Sequence, residues 1–379
     1  MRFELPAARA SNPQSMKLSR IPQPAPAQRC GDQVGPSLRG PNPVTVLVPA
    51  YNEETTLGDT IRSLQAQTFP PQEIIVIDDC STDRTGEIGR GLGATVVRPP
   101  ANTGSKAGAQ TFALDRVRTP FTIAIDADTV LAPDAIEKLT LAIQDPAVAA
   151  ACGFVLPRRV QTLWERGRYV EYLFAFTFYK VIQDHFGRPL ISSGCFSIYR
   201  TEALRALGGW SNRTLAEDMD LTWSLYASGQ GVRFVPEAIC YPLEPNNFHF
   251  LSCQLRRWSH GFVQNVRLHW RNILEIGFLR SAVAVAFWDA VVASLIFLFV
   301  LPLLTVLVSP LFLLAYVIDA PAVAVPVLYQ ASRRGEALQA LASMPGFFAL
   351  RVVNAVFIVR ALWCELVGGR SLHTYEKGH

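Results

Sequence analysis

Carboxylates stand in groups at three points where a run of apolar residues stops. EIIVIDD ends on Asp78 and Asp79, FTIAIDAD ends on Asp126-Ala127-Asp128, and VTVLVPA is followed by Tyr51-Asn52-Glu53. Charge at the end of an otherwise apolar strand destabilises a core unless something compensates it. Alternate residues of an extended segment turn the same way, so Asp126 and Asp128 offer two hard oxygen donors to one side. That spacing suits Mg²⁺ or Mn²⁺, since such ions are often held by one or two carboxylates plus substrate phosphates. The purely structural alternative is a helix N-cap, because Asp128 precedes TVLAPDAIEKL. No G-x-G-x-x-G or P-loop glycine pattern follows the first apolar run, which disfavours a dinucleotide enzyme or a P-loop NTPase.

The elements that must position these groups alternate in type. VTVLVPA, EIIVIDD, ATVVRP, FTIAIDAD and VAAACGFVL read as short buried strands. Between them lie helical patterns near 54–66, 83–91, 105–117 and 133–144. Buried strands alternating with helices predict an α/β domain, a mostly parallel sheet covered on both faces. Ligands of such sheets bind beyond the carboxyl ends of the strands, where the acidic groups stand. An aromatic-rich helix is expected over 160–185 and a mixed region over 190–245. Residues 1–43 hold eight prolines and no periodicity, and predict a disordered tail.

Half of the 379 residues are hydrophobic and only 17% are charged, and the excess is local. From Ser281 to Ser332 the only charged residues are Asp289 and Asp319, enough for two membrane spans of roughly 20 residues each. They are expected near 282–303 and 306–328, with Pro302 and Pro310 near the turn. A third apolar segment, 345–367, carries Arg351, Arg360 and Glu365, and reads as a further span or an interfacial helix. The chain thus divides into a tail (1–43), an α/β domain (44–245), interfacial helices (246–280), a membrane region of two to three helices (281–367) and a C-terminal tail (368–379). Arg256, Arg257, Arg267, Arg271 and Arg280 precede the apolar hairpin and Arg333 and Arg334 follow it, which puts both flanks on the cytoplasmic side. A net charge of +4 gives no reason to expect nucleic acid. Seven scattered cysteines without C-x-x-C spacing fit reduced thiols. The sequon Asn212-Arg213-Thr214 is a chance match on that side. His249, His260 and His269 have no metal-ligand spacing.

VLVPAYNEE, VIDDCSTDRT, NTGSKAGA, IDADT, SGCFSIYR, LGGW, AEDMDL and QLRRW follow in this order. Together they resemble a family 2 glycosyltransferase of the GT-A fold. QLRRW is similar to the Q-x-x-R-W of membrane-bound processive members such as cellulose, chitin, hyaluronan and poly-N-acetylglucosamine synthases. The resemblance covers residues 44–260 closely and the membrane part in layout only. It implies that Pro49, Ala50, Tyr51 and Glu53 line a nucleotide pocket, that Asp79 meets the uracil edge with Asp78 beside it, and that Lys106 meets the nucleotide or its diphosphate. Asp126, Ala127 and Asp128 correspond to the D-x-D segment, with Asp128 the direct ligand of Mg²⁺ or Mn²⁺. Asp218, with Glu217 beside it, corresponds to the aspartate that acts as base, although Ala216 stands where the family has Thr. Ser193 and Gly194 fall near the acceptor. Gln254, Arg257 and Trp258 share a helix face and would close over the site, Arg257 on diphosphate and Trp258 on the acceptor sugar.

Each of these has a plainer reading. Glu217-Asp218 also serves as the acidic first turn of a helix, and an Arg/Trp cluster also anchors at a membrane interface. Cys195 lacks a histidine partner and reads as packing. The implied activity is inverting, metal-dependent transfer from a nucleotide sugar, a UDP-sugar foremost, to a glycan or lipid-linked acceptor at the cytoplasmic membrane face, in one step or processively. The rival classes are a catalytically inactive nucleotide-sugar-binding membrane protein and a transporter subunit. The intact Asp126, Asp128, Asp218 and Arg257 oppose the first. The small number of spans opposes the second.

Overall fold

The computed structural model describes residues 43–186, 188–318 and 320–372. The expected N-terminal tail, save Pro43, and the last seven residues lie outside the described residues. Eight strands form one sheet: β1 (Val44–Ala50), β2 (Glu73–Asp78), β3 (Thr95–Val97), β4 (Phe121–Ile125), β5 (Val130–Leu131), β6 (Val148–Val155), β7 (Phe196–Arg200) and β8 (Gly231–Tyr241). Their order is β3-β2-β1-β4-β7-β6-β8-β5. β3, β2, β1 and β4 run parallel. β7 runs antiparallel to both its neighbours, β4 and β6, and β5 runs antiparallel to β8. β6 and β8 pair in parallel. The parallel half is the half with the clear strand–helix alternation. β7 and β8 fall in the mixed region 190–245; β7 and the short β5 run against the other strands and make the sheet mixed.

Side chains of β1 divide by the two-residue period of a strand. Val44, Val46 and Val48 pack with Leu57, Ile61 and Leu64 of the helix Leu57–Gln65 on one face. Leu47 packs on the other, with Ala107 and Ala113 of the helix Lys106–Leu114. Six of the seven β1 residues are apolar because both faces are covered; the seventh, Thr45, accepts from Thr119 Oγ1 at 2.8 Å. The chain leaves β1 and β2 through residues with left-handed backbone, Asn52 (φ 55°) and Cys80 (φ 64°). Asn tolerates this conformation better than most residues, and the Asn52 side chain accepts the Thr82 N–H at 2.8 Å.

Three helical segments are long and apolar enough to cross a membrane: Gly277–Leu307, Pro310–Arg333 and Ala337–Val367. The hairpin turn comes at Val308–Ser309, and Pro310 opens the second segment, capped by Ser309. Pro302 lies inside the first segment and not at the turn. The third helix starts at Ala337, eight residues before the expected 345, with Pro345 in its interior. The residues ahead of the proline, ALQALASM, are strong helix formers, so the helix is already established where the proline enters.

The aromatic-rich segment forms the helix Leu163–Phe174, continued to His185 through a wider turn at Ala175–Tyr179. A capping box of Thr162 and Glu165 opens it. It lies directly against the third apolar helix: a Cβ on Gly167 would stand 2.7 Å from the Gly346 carbonyl oxygen. Cys30 lies outside the described residues, and the other six cysteines are free thiols.

Candidate active site

Four elements bring their ends to one point. Lys106 opens the helix Lys106–Leu114, whose N-cap Ser105 accepts the Gly108 N–H at 3.0 Å. Asp126 and Asp128 follow β4, Gly194 precedes β7, and Glu217 and Asp218 open the helix Glu217–Ala227. Gly194 is the hub. Lys106 Nζ donates to its carbonyl at 2.8 Å, and its N–H donates to Asp218 Oδ2 at 2.9 Å. Lys106 is also ion-paired with Asp126 and stands 3.9 Å from Glu217. The other Asp218 oxygen accepts the Met219 N–H at 2.8 Å. A cavity of about 260 Å³ adjoins this centre, lined in part by Thr103, Ser105, Lys106, Asn212 and Glu217.

The electrostatics of the centre are unbalanced towards negative charge. Asp128 is pushed up to about 8 by burial and then by the carboxylates of Asp126, Glu53 and Glu244. Glu217 is pushed up by burial; Lys106 opposes the shift, Asp218 adds to it and Arg257 opposes it. Glu244 rises to about 7 because it is buried, with Arg168 opposing. Carboxylates so crowded are stabilised by a cation among them. Oxygen donors from Asp126 and Asp128 fit Mg²⁺ or Mn²⁺. Among the described residues no group of three metal-ligating side chains gathers. Two carboxylates leave the remaining positions to phosphate oxygens and water, the usual arrangement for Mg²⁺.

Other expected residues are placed differently. Asp79 is buried, with one oxygen accepting the Thr103 N–H at 2.8 Å and the other the Thr103 hydroxyl at 2.9 Å. It thereby ties the end of β2 to the NTGSKAGA loop. Asp78 is buried and accepts from the Ser81 N–H and from Arg98 Nη1, both at 2.9 Å. Glu53 accepts the Thr56 hydroxyl at 2.6 Å, while Pro49 and Ala50 end β1 and Tyr51 stands 41% exposed beyond them. The Ala127 carbonyl accepts the Thr60 hydroxyl at 2.8 Å. The Ser193 hydroxyl is engaged by Lys180 Nζ at 2.6 Å, whose ammonium also lies over the Phe176 ring.

The cluster QLRRW lies on the helix Phe248–Leu268. Gln254 and Trp258, one turn apart, both meet Arg168: Nη2 donates to Gln254 Oε1 at 2.7 Å, and the guanidinium lies 4.5 Å from the centre of the Trp258 ring. The charge of Arg257, the residue next to Trp258, acts on Glu217. Farther along the same helix Gln264 Oε1 accepts the Leu215 N–H at 3.0 Å and Asn265 Nδ2 donates to the Ala216 carbonyl at 3.1 Å. These bonds fix the loop that delivers Glu217 and Asp218. The sequence reading missed Arg168, Glu244 and Lys180. Arg168 shares its helix with Glu165, Arg166 and Glu171, so its charge by itself gave no signal. Glu244 stands beside Pro245 without any spacing motif.

Residues 45–208 match the family model described as Glycosyl transferase family 2. The chain is 28% identical over 226 residues to the poly-beta-1,6-N-acetyl-D-glucosamine synthase of Staphylococcus epidermidis, a match covering 58% of this chain and 54% of that protein. The same enzyme of Staphylococcus aureus (strain COL) matches with the same identity and coverage. The chain thus spans about half the length of the curated relatives it matches. Among solved structures, the mannosyltransferase PcManGT from Pyrobaculum calidifontis, in complex with GDP-Man and Mn2+, superposes with a TM-score of 0.58 at 20% identity, covering 87% of this chain and 90% of that one. At that identity the likeness establishes the fold. Over residues 45–208 the chain is thus similar to glycosyl transferase family 2, on a GT-A-like fold.

Proposed function

We propose that the protein is an inverting glycosyltransferase that moves a sugar from a UDP-sugar, N-acetylglucosamine foremost, to a glycan or lipid-linked acceptor at the cytoplasmic face of a membrane. The observation that carries this reading is the meeting of Lys106, Asp126, Glu217 and Asp218 around Gly194. Similarity to the poly-N-acetylglucosamine synthases favours that sugar and a growing glycan as acceptor.

In this reading Asp218 takes the proton of the attacking acceptor hydroxyl, because Gly194 holds one of its oxygens and fixes its aim. Lys106 and Arg257 offer cationic charge to the departing diphosphate. Asp128 and Asp126 would hold Mg²⁺ or Mn²⁺, and such an ion bound there supplies positive charge against the leaving diphosphate. Asp79, locked on Thr103, shapes the nucleotide pocket. Trp258 offers a ring face to the acceptor sugar. Three apolar segments keep the domain at the bilayer, with the Arg-rich flanks cytoplasmic.

The test incubates the purified protein with Mn²⁺ or Mg²⁺ and radiolabelled UDP-N-acetylglucosamine, UDP-glucose or GDP-mannose. Label in a ladder of polymer supports processive synthesis, and label in one lipid-extractable product supports single transfer to a carrier. GDP-mannose as the preferred donor overturns the UDP assignment. No transfer from any donor by folded, UDP-binding protein overturns the enzymatic reading.

A further inference from the structure

Arg168 is the most deeply buried cation near the site, 1% exposed, and no motif marks it. Its guanidinium is spent on four partners. It is ion-paired with Glu171 one turn along its own helix. Nη2 donates to Gln254 Oε1 at 2.7 Å, Nε stands 3.7 Å from Glu244 Oε2, and the group lies 4.5 Å from the Trp258 ring centre. Those partners are tied down in turn. Glu171 Oε1 accepts from Asn354 Nδ2 of the third apolar helix at 3.0 Å, and Glu244 Oε1 accepts the Tyr172 hydroxyl at 2.8 Å. The helix also lies close against the third apolar helix, because Gly167 meets the Gly346 backbone with no room for a side chain. One turn, 168–172, therefore joins the third apolar helix, the segment after β8 and the interfacial helix.

A guanidinium stacked on one face of an indole leaves only the other face for a ligand, and Trp258 is 37% exposed. We propose that Arg168 is a positioning residue for the acceptor: it holds Gln254 and backs the Trp258 ring so that the ring's free face meets the incoming sugar. This rests on the reading of Trp258 as an acceptor contact. Neither the charge alone nor the burial alone fulfils the role. A flat fork is needed to stack and to hold Gln254 at once, which lysine lacks.

The experiment is a double-mutant cycle on the full chain in detergent, with UDP-N-acetylglucosamine as donor and a β-1,6-linked N-acetylglucosamine oligosaccharide as acceptor. UDP binding with Mn²⁺, measured by calorimetry, reports the fold and the donor side. Arg168→Met is expected to bind UDP like wild type and to raise the acceptor KM about tenfold, a loss on the scale of one cation–π contact. Arg168→Lys keeps a charge for the ring but loses the fork that also holds Gln254, so it is expected to restore the acceptor KM only in part. In a Trp258→Ala background the Arg168→Met penalty is expected to vanish, because Arg168 acts through the ring. Equal KM penalties in both backgrounds, a fall in kcat with KM unchanged, or full rescue by lysine overturns the inference while leaving the acceptor role of Trp258 standing. A Trp258→Ala variant with the wild-type acceptor KM overturns that role, and this inference with it. If Arg168→Met loses UDP binding, Gln254→Met replaces it in the cycle, with a smaller KM rise expected and the same loss of effect in the Trp258→Ala background.

Discussion

Gly194 and Asp218 are joined by a 2.9 Å hydrogen bond from the glycine N–H to Oδ2. The bond crosses from the loop before β7 to the first turn of the helix Glu217–Ala227, and it fixes which way the carboxylate faces. The other oxygen accepts the Met219 N–H, so in Asp218→Asn the amide NH₂ must face one of these two N–H groups, and the basic oxygen is lost; circular dichroism checks that the variant stays folded. Turnover is expected to fall about 10²–10⁴-fold, the usual share of a positioned base, with UDP affinity near wild type. Calorimetry beside single-turnover kinetics checks it, and near-normal turnover in Asp218→Asn moves the base to Glu217.

Gly194→Ala tests the same hub sterically. The new Cβ would lie 3.2 Å from Asp218 Oδ2 and 3.3 Å from Lys106 Nζ. Both neighbours must give way by a few tenths of an ångström. Turnover is expected to drop about tenfold to a hundredfold, in keeping with the cost of small misplacements at a reacting centre. Melting temperature should barely move. A fully active Gly194→Ala would show that the alignment of Lys106 with Asp218 is not needed.

Chelation tests the carboxylate pair. Exhaustive EDTA is expected to abolish transfer, and Mn²⁺ or Mg²⁺ to restore it. Asp128→Asn should raise the metal concentration needed for half-activity, since it removes one of the two anionic oxygen donors offered to the ion. Full activity in chelator removes the metal from the reaction.

Asp79→Asn separates the donor pocket from the chemistry. Its carboxylate accepts both the Thr103 N–H and the Thr103 hydroxyl, so an amide in its place must present a donor to one of them. UDP binding is expected to weaken, and KM for the donor to rise before kcat falls. An unchanged donor KM assigns Asp79 to loop structure alone.

The membrane prediction concerns extraction. Gly277–Leu307 and Pro310–Arg333 are both long and apolar enough to cross a bilayer. The protein should stay in the pellet through high salt and alkaline carbonate, with the α/β domain cut by protease only in inside-out vesicles. Release by carbonate, or cleavage only in right-side-out vesicles, contradicts the assigned span or side.

The sequence by itself determined the strand ends and the apolar helices. β1, β2 and β4 are covered on both faces, so each is a largely apolar run, and carboxylates at its end need partners to compensate their charge. Membrane-length helices follow from hydropathy for the same reason: the signal is local and one-dimensional. Tertiary structure decided what local pattern does not encode. β7 and β8 lie in a stretch without helical alternation, and β7 reverses direction between β4 and β6. Gly194 became the hub through its backbone N–H and carbonyl, which every residue except proline possesses, so its type alone announces nothing. Asp79 points into a loop, because Thr103 offers it two donors, a choice made by how the chain returns after β3. Arg168 meets Gln254 and Trp258 where its helix packs between the third apolar helix and the helix Phe248–Leu268. Contacts of that kind join segments far apart in the chain, and they are fixed by packing between elements, for which the sequence carries no period.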